Sequence, residues 1–219
     1  VVTDVATAAQ ECAPLIRQAI EADGLTPPEQ KLSSLYTAFQ SDGLFLQVPV
    51  GFIGRKPVRL IRMLSAEPEQ ALFPLTVIVA GQGSSIILID EYVSLPASLP
   101  AGQAGVAGAS ASSAVEEAGG HHVVNARIEL IIEPHATVHY VRIQRWGARA
   151  REFVLQRATV REGSHLTMVN INIGSLISKA HVIAKLLGEH ATSHLYGFVF
   201  GHGRQHVDQH KQRQHTDKA

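Results

Sequence analysis

Near the end of the sequence stand four side chains of the kinds that hold metals or move protons: His202, His206, Asp208 and His210, with His215 a few residues on. Twelve histidines occur in 219 residues, and they crowd into the second half. In an extended strand His206, Asp208 and His210 project from one face, because side chains alternate with period two. Neutral imidazoles with a carboxylate form a donor set for zinc or non-haem iron. The spacing does not match a helical His-Glu-x-x-His site, and a polar strand face that meets water or another protein has the same pattern. Both readings stay open on spacing alone.

The other candidates are weaker. His121-His122 puts one imidazole on each face of a strand, a poor chelate. His135 with His139, and His190 with His194, recur at equivalent places in two repeats, which points to a role in stacking. Met168, Asn170 and Asn172 alternate with Val169, Ile171 and Ile173; the apolar set is the natural core face, leaving the asparagines as an exposed ladder. Gly81-Gln-Gly83 has neither a following helix nor a Lys-Ser/Thr, so it reads as a turn between strands. No Ser/His/Asp or Cys/His arrangement stands out. Paired acidic residues facing one groove, as glycoside hydrolysis requires, are missing too.

The elements that must position these residues announce themselves by repetition. Ile132-Glu-Pro-His-Ala-Thr-Val-His-Tyr140, Val160-Arg-Glu-Gly-Ser-His-Leu-Thr-Met168 and Leu187-Gly-Glu-His-Ala-Thr-Ser-His-Leu195 align on Ala136, Ser164 and Ala191, at spacings of 28 and 27 residues. A fourth block, Val79–Ile87, lies upstream. Strand-like runs at Glu152–Thr159 and Ala180–Leu187 place about two strands in each period. No such repeat buries its apolar face alone, so stability resides in the stack, and the expected fold is a parallel β-helix, a solenoid.

Before the repeats, Val5, Ala8, Ala9, Cys12, Leu15, Ile16, Ala19 and Ile20 recur at helical spacing, with Gly24 as the stop. Pro27-Pro28 opens a second helical pattern through Leu32, Leu35, Tyr36 and Phe39, closed by Gly43. Residues 1–43 therefore form an N-terminal helical segment, and 44–219 the β-helix core. The stretch 94–120, rich in Ala, Gly, Ser and Pro, reads as a flexible insertion loop. Cys12 lies on the apolar face of its helix, a small hydrophobe rather than a reactive thiol.

Bulk properties exclude several classes. The 19 basic and 19 acidic side chains cancel, which argues against a nucleic-acid surface. One cysteine permits neither an internal disulfide framework nor a four-thiolate site, and suits a reduced thiol in a cytoplasmic chain. The longest apolar runs are strand-length, far below the roughly 20 residues of a membrane-spanning helix. The sequence begins at Val1 and ends at Lys218-Ala219 without a capping element, so a piece of a longer chain is expected.

Leu35-Tyr-Thr-Ala-Phe-Gln-Ser-Asp-Gly-Leu-Phe-Leu-Gln-Val-Pro-Val-Gly51, Lys56–Ile61, Asn125–Tyr140, the repeated turns and Gln205-His-Val-Asp-Gln-His210 with His215 resemble the SufB/SufD family, most nearly its SufD branch. The resemblance covers residues 33–217 apart from the loop. It implies a right-handed parallel β-helix subunit of the SufBCD complex for iron–sulfur cluster assembly, a scaffold rather than an enzyme. Such a subunit pairs with a SufB-like paralogue and a SufC-like ABC ATPase, the latter through a C-terminal region beyond these residues; a homodimer is a further arrangement. No cofactor is held tightly by this chain, and the cluster is transient in the full complex. His206, Asp208 and His215 match family positions near the interface end, where they take an interface or transient-metal role. The competing reading is a metal-dependent, cupin-like enzyme using His202, His206, Asp208 and His210.

Overall fold

A computed structural model describes residues 1–20, 27–40, 42–64, 70–94 and 121–216. The expected loop at 94–120 lies outside the described residues except for Ser94, as does the expected helix stop at Gly24. The chain winds through two sheets, one turn of the solenoid after another. The front sheet stacks β2 (Asp42–Val48), β5 (Pro74–Ala80), β7 (Val123–Ile132), β9 (Arg151–Arg161), β11 (Ile177–Leu187) and β13 (His206–Thr216). The back sheet stacks β3 (Val58–Leu64), β6 (Ser85–Ser94), β8 (Thr137–Arg145), β10 (His165–Asn172) and β12 (Thr192–Val199). Every pairing between these strands is parallel. The chain is the parallel β-solenoid that the repeats predict.

The repeated blocks set the register because they are one turn used four times. Gly83, His135, Gly163 and His190 all hold the left-handed backbone, with φ of 64°, 60°, 62° and 60°. Two are glycines, which take this conformation freely; the two histidines accept it at some cost. After each comes a small residue, Ser84, Ala136, Ser164 or Ala191, and the first three are fully buried. The turns hydrogen-bond to one another as strands do: Gly83 N donates to Pro134 O, His135 N to Glu162 O and Gly163 N to Glu189 O, at 2.9–3.0 Å. His135 and His190 thus shape the turn, whereas His139 and His194 face outward from the back sheet and are exposed.

The N-terminal helices differ in detail from their expected form. α1 (Val5–Glu11) and α2 (Ala13–Ile20) are separate, broken at Cys12 because Pro14 cannot donate the next helical hydrogen bond. Asp4 caps α1, accepting from Thr7 N at 2.8 Å. A strand not expected from the sequence, β1 (Val2–Asp4), pairs antiparallel with β2. Gly43 does not close α3 (Pro27–Phe39) but lies within β2, where a Cβ would meet the Val5 side chain and stand 2.6 Å from Leu75 O. Val5, Ala8, Ile16 and Tyr36 pack on Phe45, Leu75, Val77, Val79 and Ile131, so the helices cover the outer face of the front sheet. A two-residue strand, β4 (Ala71–Leu72), pairs with β7 and completes the elements.

The lumen between the sheets is divided. Toward the left-handed turns the back sheet contributes the rows Ile86–Val138–Leu166 and Leu88–Tyr140–Met168, facing Ile132, Val160 and Leu186. Toward the opposite turns the rows are Asp90–Arg142–Asn170 and Tyr92–Gln144–Asn172, polar and almost wholly buried. The expected exposed asparagine ladder is therefore wrong: Asn170 and Asn172 are 1% exposed, and Ile173 is 39% exposed. Their strand cannot reverse its face, because Leu166 and Met168 share their parity and are already committed to the core.

Buried charges on these rows are paired. Asp90 accepts from Arg62 Nε at 3.0 Å and from the hydroxyls of Tyr92 and Tyr140 at 2.7 Å each. Arg142 donates to Glu152, which also accepts from Trp146 Nε1 at 2.8 Å and Ser178 Oγ at 3.2 Å. Burial alone would lower the pKa of Arg142; Glu152, the two tyrosines and Asp90 outweigh it and hold the guanidinium charged.

Removing Glu152 leaves Arg142 charged and unpaired in the lumen, so Glu152→Ala is expected to cost about 3–5 kcal/mol by urea denaturation; a loss under about 1 kcal/mol would mean the pair anchors nothing. His122 gives a pH prediction. It is buried with neither ring nitrogen hydrogen-bonded, and burial, with His121 adding to it, depresses its pKa below 6.5. The folded state then takes up fewer protons than the unfolded one. The stability it contributes is complete above pH 6.5 and falls as the pH drops below that value. His122→Leu is expected to flatten the loss of stability between pH 7 and 5, and an unchanged slope would contradict this.

Candidate functional site

β13 carries the side chains that the sequence singles out, and its register with β11 decides where they point. His206, Asp208 and His210 pair with Ile177, Lys179 and His181, which lie on the outer face of the front sheet. His215 pairs with Leu186, which is buried in the lumen, so His215 has the opposite parity. His215 lies nine positions after His206, an odd offset, so a regular strand cannot bring them to one face. His202 precedes the strand, its backbone N–H held by Gln205 Oε1 at 2.9 Å. Among the described residues, no three or more His, Cys, Asp or Glu side chains converge well enough to hold a metal ion. The five residues do not form one site.

The outer face does hold a cavity, of about 310 Å³, between α3 and the sheet. Tyr36, Phe153, Leu155, His181, Asp208 and His210 are among the residues lining it. At its helix side Asn125 Nδ2 donates to Leu32 O at 2.9 Å and fixes α3 in place. Beneath lies a buried triad: Arg127 and Arg157 each donate from Nε to Glu129 Oε1 at 2.7 Å. Burial pushes the Glu129 carboxyl up, and the two arginines oppose it. His181 is the residue that sequence reasoning missed. Its ring meets His210 edge to face, with centroids 4.7 Å apart at 83°. The signal was present, since both histidines occupy the same position in successive front-sheet strands, but seeing it required their exact register.

On the lumen side β13 continues the polar column. Gln209, Lys211 and Arg213 have the inward parity of Ala180, Val182 and Ala184. Arg213 Nη1 donates to Ser193 O at 3.4 Å, and a Cβ on Gly197 would collide with Gln209 Oε1 and Lys211 Nζ. The interior row Asp90–Arg142–Asn170 thus ends at a residue without a side chain, which admits polar groups from the opposite sheet. Around it, β12 and β13 are the last described strands of the two sheets in chain order, with Tyr196, Phe198 and Phe200 about half exposed or more. Exposed aromatics beside a charged lumen suit binding and assembly. No described helix is long and apolar enough to cross a membrane.

Comparison with known proteins agrees with this geometry. Residues 62–219 match the family model described as "SUF system FeS cluster assembly, SufBD core domain". An iron–sulfur cluster assembly SufBD family protein of Mycobacterium leprae is 33% identical over 84 residues, 38% of this chain and 10% of that protein. The iron–sulfur cluster assembly protein SufD of Bacillus subtilis is 34% identical over 92 residues, 42% of this chain and 21% of that protein. A SufBD family protein of Staphylococcus saprophyticus is 25% identical over 172 residues, 78% of this chain and 32% of that protein. The chain spans about a third or less of these relatives. A family match over most of the chain, laid on stacked parallel rungs, assigns it: this protein belongs to the SufBD family of iron–sulfur cluster assembly proteins.

Proposed function

We propose that this chain is the β-helix core of a SufD-like scaffold subunit in a SufBCD complex for iron–sulfur cluster assembly. It pairs with a SufB-like paralogue, and a SufC-like ABC ATPase supplies the energy of ATP hydrolysis. The observation that carries this reading is the SufBD core-domain match over residues 62–219, which falls on the stacked parallel strands. Exposed Tyr196, Phe198 and Phe200, on and just after β12, are of the residue type enriched in interface cores. His206 and Asp208, exposed on β13, take the interface role on its outer face, and His215 lies on its lumen side.

A metal-dependent enzyme built on His202, His206, Asp208 and His210 is not favoured, because these residues do not converge. The chain acts in assembly through its shape and surface, with the cluster as cargo. Anaerobic purification of the full-length protein from its own cells, with co-purifying chains identified by mass, tests the reading. An ABC-type ATPase and a larger paralogue are expected. The protein recovered alone, with about one metal ion per chain, would contradict it.

A further inference from the structure

His181 and His210 stand directly opposite each other on β11 and β13, both on the outer face and both lining the cavity under α3. From this juxtaposition we propose that they form a two-imidazole site for a borderline divalent transition-metal ion, of which zinc is the test case. Adjacent parallel strands hold directly opposite residues at one fixed spacing, so two histidines in register are a chelate preset by the backbone. The ring geometry suits it. A zinc–nitrogen bond of about 2.0–2.1 Å places each ring centroid about 3.2 Å from the ion. Ligand angles of about 90–110° then separate the two centroids by about 4.5–5.2 Å. The observed separation is 4.7 Å, within that range, with the ring planes at 83°.

Asp208, two residues before His210 on the same face, lines the same cavity and adds negative charge near the pair without reaching a ligand position. Lys179 stands opposite Asp208 in register. Because no three His, Cys, Asp or Glu converge in the described residues, the strands supply two imidazoles and solvent fills the remaining positions, as in an open rather than a closed site. This is a different ligand set from His206, Asp208 and His215, which parity divides between two faces. The ion would also tie the outermost front-sheet strand to the one before it. Binding at this pair is independent of the scaffold reading.

The full chain titrated anaerobically with zinc sulfate, in competition with a chromophoric chelator, is expected to bind one ion per chain. His181→Gln and His210→Gln should each weaken that binding tenfold or more, and Asp208→Asn severalfold. His206→Gln and His215→Gln should leave it within twofold. Hydrogen exchange gives a second readout: zinc should slow the amides of β13 in the parent protein and not in His210→Gln. That exposed variant carries the test even if His181→Gln folds poorly. No saturable binding, affinity insensitive to His181 and His210, or affinity that follows His206 or His215 would each overturn the proposal.

Discussion

The parallel hydrogen-bonded stacking of one rung on the next is the constraint on which everything else depends. Each strand is fixed at a single register by a turn whose backbone is the same in four successive rungs, at Gly83, His135, Gly163 and His190. A slip of one residue would exchange the inner and outer faces of a whole strand. The turns prevent it by hydrogen-bonding to each other as well as by starting each strand at the same height. From that registry follow the lumen rows, the placement of His181 over His210 and the alignment of the two outermost strands. No side chain discussed above has a position independent of it.

Registry also explains how a solenoid so narrow tolerates buried charge. An arginine fixed on one rung meets a carboxylate on the next or on the facing sheet at a distance the backbone imposes. Arg62 with Asp90, and Arg142 with Glu152, are paired in this way. Buried pairs of this kind contribute little net stability compared with an apolar filling, but losing one partner is costly. They favour one arrangement of rungs over its neighbours. The polar half of the lumen and the apolar half then have separate roles, the latter supplying most of the hydrophobic driving force.

Much of the fold was legible because its repeats are written in turn residues. Ala136, Ser164 and Ala191 align in the sequence and occupy the same turn in three dimensions. The lumen was not legible. Leu166, Met168, Asn170 and Asn172 form one inward row, and polarity alone places its two halves on different faces. The phase comes from the turn, and the polar half from partners distant in sequence, such as Glu152 and Ser178. β1 was missed because three residues carry too little pattern, and the break at Cys12 was missed although Pro14 marks it. For the histidines, period two correctly grouped His206, Asp208 and His210. It also shows, once the count to His215 is made, that the larger set divides. His181 belongs to another strand, and only pairing brings it near.

Family membership and geometry meet at the stack: the SufBD core-domain match falls on the run of rungs, and Tyr196, Phe198 and Phe200 with His206 and Asp208 form the surface through which assembly is proposed. The account stands on the claim that this surface is where a partner joins. Hydrogen–deuterium exchange on the full-length protein, with and without its purified paralogue, addresses it directly. Slower exchange in residues 192–199 and 206–216 on adding the paralogue, with the remaining rungs unchanged, is the predicted result. Protection confined to the N-terminal helices, or none in β12 and β13, would contradict it.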